Sequence, residues 1–214
     1  MLPLKKIKYH YSGKFDPLKL ELTNIDRLST GLVPENSKVL EFGCATGFMS
    51  QYFRKKLYCQ VVGVDINPAV KPDICGDLAS PHTWQKIKKQ QKFDVVFASA
   101  IIEHLPSPET TLQLIKSVLK PHGLLIITTP NVAHWRQRLN LLLGRFEYED
   151  YGLLDRTHLR FFTYFTFQKL IRDAGFIIKQ VLLDPAGGVK YFNWLFKYFP
   201  NFYAHQICIK AVNH

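Results

Sequence analysis

"VLEFGCATGF" (residues 39–48) closes a short apolar run on a turn with two glycines, and Glu41 stands two positions before the first of them. With "PENS" (34–37) ahead and glycine behind, "KVLEFGC" (38–44) reads as a buried strand that ends sharply. "GFMSQYFRKKL" (47–57) then sets Phe48, Tyr52, Phe53 and Leu57 near helical spacing, so the turn feeds an amphipathic helix.

Outward from this unit the alternation continues. "QVVGVDI" (60–66) is a second strand, "DICGDL" (73–78) a shorter third, "FDVVFASAII" (93–102) a fourth with its exit, and "GLLIITTPN" (123–131) a fifth, stopped by Pro130. Between them, "SPHTWQKIKKQQ" (80–91) and "SPETTLQLIKSVL" (107–119) read as helices opened by Ser-Pro, with Ser80 a plausible N-cap. "AHWRQRLNLLL" (133–143) reads as a helix, residues 144–164 as an irregular aromatic connection. "TFQKLIRDAG" (166–175) reads as a helix capped by Thr166 and stopped by Gly175. "FIIKQVLLD" (176–184) and "HQICIKAV" (205–212) are β-like with no clear helix between them, so one of the two is expected antiparallel. Strands alternating with helices of this length predict right-handed βαβ units and a single α/β domain.

The composition bounds the partners. The chain has 214 residues, 47% hydrophobic and 21% charged, with 28 Lys+Arg against 17 Asp+Glu, a formal net charge of +11. That excess suits anionic partners, but the basic clusters at 5–8, 54–56 and 86–92 are short and dispersed, and no RNA-binding signature accompanies them. The expectation is no nucleic-acid partner. Cys44, Cys59, Cys75 and Cys208 show no zinc-like spacing. With no apolar core in "MLPLKKIKYHYSG" and no run of 18 apolar residues, they are read as thiols in a reducing cytoplasm. The oligomeric state is left open.

In an open α/β sheet the ligand sits outside the carboxyl ends of the strands, where strand order reverses. Glycines in the first turn let a ligand approach the backbone, and the helix that follows offers its positive end. The dinucleotide fingerprint G-x-G-x-x-G is missing: Ala45 and Phe48 occupy two of its glycine positions. The phosphate-loop pattern is missing too. What remains is an acid at the end of each of three strands: Glu41, Asp65 in "VVGVDIN" and Asp77 in "CGDL". Asp65 is placed to accept hydrogen bonds from two ribose hydroxyls, and Asp77 to meet an adenine amino group. An acid at the first turn repels a pyrophosphate but suits a ligand bearing a positive charge and an amino acid, which describes S-adenosylmethionine.

Taken together, "VLEFGCATG", "VVGVDIN", "ICGDL" and "FDVVFASAIIEHLPSPETTLQLIKSVLKPHGLLIITTPN" resemble the successive motifs of class I S-adenosylmethionine-dependent methyltransferases. The likeness is to the branch containing the ubiquinone-biosynthesis O-methyltransferases. It is close over about residues 36–131 and looser through "LDRTHLRFFTYFTFQKLIRDAGF" (154–176). The resemblance implies a Rossmann-like three-layer sandwich with a mostly parallel seven-stranded sheet and an antiparallel last strand. It implies one domain over 1–214: a helical cap at 1–35, a cofactor-binding core at 36–131, and substrate-lid segments at 132–165 and 185–203. It places Glu41, Gly43, Ala45 and Gly47 under the methionine moiety, Asp65 on the ribose, Ile66, Asp77 and Leu78 on the adenine, and Ser99 near the sulfonium, with S-adenosylhomocysteine as product. Ala45 departs from the family's usual glycine; if that position needs a left-handed backbone, alanine costs about 1 kcal/mol.

For the acceptor, His104 in "EHLPSP" is the first candidate base and His158 in "DRTHLRFF" the second. In some relatives an additional glutamate, a Glu-His pair and a later histidine bind a divalent metal. Here Glu103, His104 and His158 match three ligands, but Ala100 replaces the first glutamate, so no metal is expected. Arg156 and Arg160 are candidates to grip an acidic group on the acceptor. The aromatic stretches 146–167 and 191–203 suggest an apolar acceptor channel, or peripheral contact with an anionic membrane bearing a lipid-linked substrate. The leading reading is therefore methylation of an oxygen on a small-molecule, sugar- or lipid-linked acceptor. An RNA or protein methyltransferase, or a non-catalytic S-adenosylmethionine-binding regulator, are the alternatives.

Overall fold

The computed structural model describes residues 16–185 and 198–214. Its seven strands are β1 (Lys38–Phe42), β2 (Gln60–Asp65), β3 (Ile74–Cys75), β4 (Phe93–Ser99), β5 (Leu119–Pro130), β6 (Phe176–Asp184) and β7 (Gln206–Asn213). They form one sheet in the order β3-β2-β1-β4-β5-β7-β6. β1 to β5 pair in parallel, whereas β7 runs antiparallel to both of its neighbours, β5 and β6. The expected mixed sheet with one reversed strand is therefore present. β1 lies between β2 and β4, which is where the strand order reverses and where a ligand crevice is expected.

Among the described residues the helices are α1 (Ile25–Thr30), α2 (Phe48–Lys56), α3 (Pro81–Lys88), α4 (Pro108–Val118), α5 (Trp135–Leu142), α6 (Tyr164–Asp173) and the single turn α7 (Pro200–Tyr203). Two cores cover the two faces of the sheet. On one, Trp84 and Ile87 of α3, Leu112 and Ile115 of α4, and Phe167 and Ile171 of α6 pack on Leu40, Phe42, Val96 and Ile127. On the other, Ile25 of α1 and Met49 and Phe53 of α2 pack on Val39, Val95, Phe97 and Cys208. The sequence alternates sides because each central strand buries both of its faces: Val39, Leu40, Glu41 and Phe42 are all buried. No described helix is long and apolar enough to cross a membrane.

Several boundaries differ from the sequence expectation. The third strand is only Ile74–Cys75, so Asp77 falls in the turn beyond it. The fifth strand begins at Leu119 rather than at residue 123. Ser80 and Ser107 do stand at the N-caps of α3 and α4 with proline following, as expected, but neither adds a side-chain hydrogen bond. Thr166 is not the cap of α6: Thr163 is, and Thr166 returns a hydrogen bond to it in a reciprocal capping box. Thr163 wins because the residues after it already carry the helix's packing face, from Tyr164 through Phe167. Tyr9, Tyr11 and Phe15, and residues 191–197 of the second aromatic stretch, lie outside the described residues.

Candidate functional site

The crevice is built on the turn after β1. Gly43 and Cys44 donate their N–H groups to Val64 O at 2.8 and 3.2 Å, which bends the chain back over the end of β2. Gly43 has φ +64, and a β-carbon there would overlap Ile101. Gly47 (φ +75) caps α2, and the space a side chain would fill is open. Ala45 sits in the left-handed region, φ +49, so the glycine-like conformation expected at this position is adopted by alanine. Its N–H donates to Asp65 Oδ2 at 2.9 Å, and Asp65 Oδ1 accepts from Asn67 N at 2.8 Å. Asp65 is thus both the acid at the end of β2 and the brace of the β1 turn. Ile66 beside it is half exposed, a large apolar side chain left uncovered at the strand ends.

Glu41 is buried in the sheet between Gly63 of β2 and Phe97 of β4. Ser50 Oγ, in the first turn of α2, donates to its Oε2. Burial pushes the carboxyl from its ordinary 4.5 up to about 7; the Ser50 hydroxyl and Arg54 offset this in part, while Asp65 and Asp73 add to it. A buried carboxyl poised this way ionises when a cation arrives.

Farther along the crevice, Asp77 is exposed and accepts from Ala79 N at 2.8 Å. The Leu78 side chain belongs to the core, and its carbonyl accepts from Trp84 Nε1 at 2.8 Å. Ser99, the last residue of β4, lies 3.1 Å from Thr128 Oγ1, which also accepts from Ala100 N at 2.9 Å. Ala100 has φ +51, so this left-handed bend after β4 is held by a threonine of β5.

That bend leads into one 3₁₀ turn, Ile102–His104. Glu103 is buried; its carbonyl accepts from Leu159 N and Arg160 N at 2.8 and 3.0 Å, docking the connection after α5 onto the end of β4. Thr129 Oγ1 donates to Glu103 Oε2 at 3.2 Å, and Oε1 has no hydrogen-bond partner among the described residues. Burial raises the Glu103 carboxyl to about 8. His104 and His158 stack edge to face with ring centroids 4.7 Å apart. Burial lowers the proton affinity of both, and for His104 the neighbouring His158 lowers it further. His158 Nε2 stands 4.0 Å from Glu103 Oε1; since burial disfavours both charges, this is a neutral acid facing a neutral imidazole, not an ion pair.

The tautomers follow from the backbone. His104 Nδ1 lies 3.2 Å from both Thr157 O and Thr157 Oγ1, whose own proton goes to Asp155 Oδ1 at 2.6 Å, and His158 Nδ1 lies 3.2 Å from Leu153 O. A carbonyl only accepts, so each Nδ1 carries the proton and each Nε2 is left with its lone pair. Ligand atoms of Glu103, His104 and His158 all lie within 4.8 Å of one another, a grouping able to hold a metal ion. Three of the residues singled out for the acceptor end therefore converge. Arg156 pairs instead with Asp150 at 3.0 Å on the surface, and Arg160 Nη2 donates to Pro106 O at 2.6 Å. Ser50, Thr128, Thr129 and Thr157 belong to the site and were not singled out; only the Thr128-Thr129 pair closing an apolar run offered a sequence signal.

A sheet of this order, with an acid-bearing turn after β1 and a second acid closing β2, defines the class I S-adenosylmethionine-dependent methyltransferases. A family profile described as a methyltransferase domain matches residues 16–181, and the chain belongs to that family. Among curated proteins it is 26% identical over 193 residues to the human mitochondrial ubiquinone biosynthesis O-methyltransferase, covering 83% of this chain and 52% of that protein. It is 27% identical over 149 residues to the ubiquinone biosynthesis O-methyltransferase of Shewanella halifaxensis, covering 62% and 60%. The chain therefore spans about half to three-fifths of the length of these relatives. Its fold is shared with a S-adenosylmethionine-dependent methyltransferase of Archaeoglobus fulgidus at TM-score 0.56 and 18% identity, over 87% of this chain and 90% of that one. It is likewise shared with a methyltransferase of Mesorhizobium loti at TM-score 0.55 and 15% identity, over 87% and 96%.

Glu41 carries a prediction. Its folded pKa of about 7 lies above the ordinary 4.5, so between these values the native state holds a proton that the unfolded chain has lost. Its contribution to stability is complete below pH 4.5 and is lost as pH rises through 7. In urea titrations, the unfolding free energy of the wild type should fall relative to Glu41→Gln across this window, by up to about 1.4 kcal/mol per pH unit. Parallel pH profiles for the two proteins would show that Glu41 is ionised throughout.

Proposed function

We propose that this protein transfers the methyl group of S-adenosylmethionine to an oxygen of a small-molecule, sugar- or lipid-linked acceptor. The observation that carries the reading is the acid-lined turn: Glu41 and Asp65 close adjacent strands around a left-handed loop whose N–H groups are already committed to β2. Glu41, Gly43, Ala45 and Gly47 cradle the amino-acid end, Asp65 accepts from the ribose hydroxyls, and Ile66, Asp77 and Leu78 border the adenine. Ser99 then stands toward the sulfonium. The acceptor lies across the ends of β4 and β5, against His104 and His158. Methyl transfer breaks the S–C bond in line with the incoming oxygen, so most of the acceleration comes from alignment. His104, neutral and with a free Nε2 lone pair, takes the hydroxyl proton. Calorimetric titration with S-adenosylhomocysteine tests the cofactor half. Asp65→Asn should lose at least about tenfold in affinity, the cost of one charge-assisted hydrogen bond. Asp65→Ala should also lower the melting temperature, because it frees Ala45 N and Asn67 N. Affinity unchanged in Asp65→Asn would remove the ribose assignment. Tight binding with no turnover on any acceptor would favour the regulator reading over the enzyme.

A second reading of the acceptor end is favoured by the convergence of Glu103, His104 and His158. The unpartnered Glu103 Oε1 and two Nε2 lone pairs, each on a ring anchored through Nδ1 to a carbonyl, fit a divalent cation. Such a cation, when bound, would polarise the acceptor oxygen and acidify its proton. Glu103, His104 and His158 would then hold it without the additional carboxylate that Ala100 replaces. Methyl transfer that survives exhaustive chelation at full rate would reject this reading and leave His104 as the base. Loss on chelation with recovery on adding the metal, abolished in Glu103→Gln, would support it.

The exposed apolar surface also has a proposed role. Leu139, Leu141, Leu142 and Leu143 of α5 and its end are uncovered, as are Phe146, Tyr148, Phe161 and Phe165. Arg136, Arg138 and Arg145 flank them. This combination suits a helix lying at an anionic bilayer surface and is in keeping with a lipid-linked acceptor. Sedimentation with phosphatidylglycerol vesicles should capture the wild type, and Leu141→Glu/Leu142→Glu should release it; equal recovery of both in the supernatant would reject the membrane contact.

A further inference from the structure

The amino end of α5 holds a second buried polar group, apart from the residues assigned above. His134, its N-cap residue, is 2% exposed, and among the described residues both of its ring nitrogens lack a hydrogen-bond partner. Gln137, one turn later on the same face of the helix, is 4% exposed, and its Nε2 is also unpartnered. The His205 ring stands 5.3 Å from that of His134, at 86°. Leaving such groups buried and unpaired costs about 1–3 kcal/mol each, so a fold that keeps three unpaired nitrogens together asks for a ligand.

The arrangement is built rather than accidental. Asn131, fully buried, donates from Nδ2 to Ala204 O and Asn201 O at 2.7 and 3.0 Å, and from its backbone to His205 O at 2.8 Å. Its Oδ1 accepts from Ala133 N at 3.1 Å. One side chain thus fixes both the approach to His134 and the approach to His205. His205 N in turn donates to Asp184 O at 2.8 Å. The cluster stands at the carboxyl ends of β5 and β6 and the start of β7, the same rim of the sheet as the cofactor turn. His205 is partly exposed and Arg136 is exposed, which opens the cluster to solvent.

The chemistry here is nearly all donor. Gln137 Nε2 offers two hydrogens and no lone pair, and each neutral imidazole offers one hydrogen and one lone pair, so donors outnumber acceptors. The helix's own bonding begins with Gln137 N and Arg138 N, which donate to His134 O at 3.0 and 3.1 Å, so the N–H groups ahead of it are those of Trp135 and Arg136, and its first turn carries no acid. An amide nitrogen and helix N–H groups cannot ligate a cation, and a hydroxyl satisfies too few of them. A tetrahedral oxyanion satisfies them together. Burial disfavours protonation of both histidines, and the Arg136 charge adds to this; the His205 ring lowers His134 further, while Asp184 opposes the shift at His205. Burial is the larger cause, and it brings His134 down to about 4. An entering anion would reverse that balance.

We infer that His134, Gln137 and His205, with the amino end of α5, bind a phosphoryl group carried by the acceptor. This deepens the function proposed above and rests on it: the acceptor would run along the rim from His104 to His134 and be held at its far end by its phosphate. The experiment is titration of protein carrying ¹⁵N-labelled histidine with inorganic phosphate and, separately, with glycerol 1-phosphate, at neutral pH. S-adenosylhomocysteine affinity is measured on the same samples. Both phosphates should move the His134 and His205 ring signals saturably toward the protonated form. Gln137→Leu should weaken the effect at least about tenfold while leaving S-adenosylhomocysteine binding intact. Binding of inorganic phosphate but not of the ester would overturn the acceptor assignment. No saturable shift with either, in protein that still binds S-adenosylhomocysteine, would mean that ordered water fills the cluster and would overturn the site. Loss of S-adenosylhomocysteine binding by the wild type would instead bring down the proposed function itself.

Discussion

The rest of the site depends on one carboxylate. Asp65 closes β2 and reaches across to the N–H of Ala45, holding the turn after β1 in a left-handed conformation that alanine adopts at a cost of about 1 kcal/mol. Without that brace the backbone from Gly43 to Gly47 would be fixed only by the Gly43 and Cys44 N–H groups on Val64 O and by Gly47 N on Cys44 O. A charge-assisted hydrogen bond in a buried setting contributes about 1.5–3 kcal/mol, enough to offset the strain. Ala45 in place of glycine is therefore not by itself a reason to regard the turn as disabled.

The same rim of the sheet collects buried polar groups that the core cannot satisfy. Glu41 and Glu103 are both enclosed, both are pushed toward the neutral form by burial, and each is reached by one hydroxyl, from Ser50 and Thr129. His134 and Gln137 continue the series past β5. A fold stabilised only for itself would place apolar side chains at these positions. Their grouping at the carboxyl ends of the strands is the physical mark of a surface shaped for something other than its own packing.

Much of this was legible in the sequence, because the elements concerned are set by local pattern. β1, β2 and β4 are short apolar runs buried on both faces, and the helices between them carry their packing residues at regular spacing. The reversal at β7 could be expected because no clear helical pattern separates "FIIKQVLLD" from "HQICIKAV" in the sequence. Legibility failed where tertiary contacts decide. The cap of α6 moved from Thr166 to Thr163 because packing of Tyr164 and Phe167 sets where the helix begins. The third strand shrank to two residues because only Val64 and Asp65 offer it a partner. The joining of Glu103 to His158 depends on a docking between segments more than fifty residues apart, through Leu159 N and Arg160 N, and no spacing in the chain encodes it.

His134 and Gln137 mark the limit of such reading. In the sequence they are one histidine and one glutamine near the start of a basic, leucine-rich helix, and nothing separates them from solvent-facing neighbours. What sets their position is the junction at Asn131, whose side chain ties the exit of β5 to the segment entering β7. The two strands are paired antiparallel from Leu124↔Val212 to Pro130↔Gln206, so the residue after β5 and the residue before β7 must meet. The reversed strand thus does more than complete the sheet. It brings His205 back to the carboxyl rim, where a parallel strand would have presented its far end, and so places a second imidazole against His134.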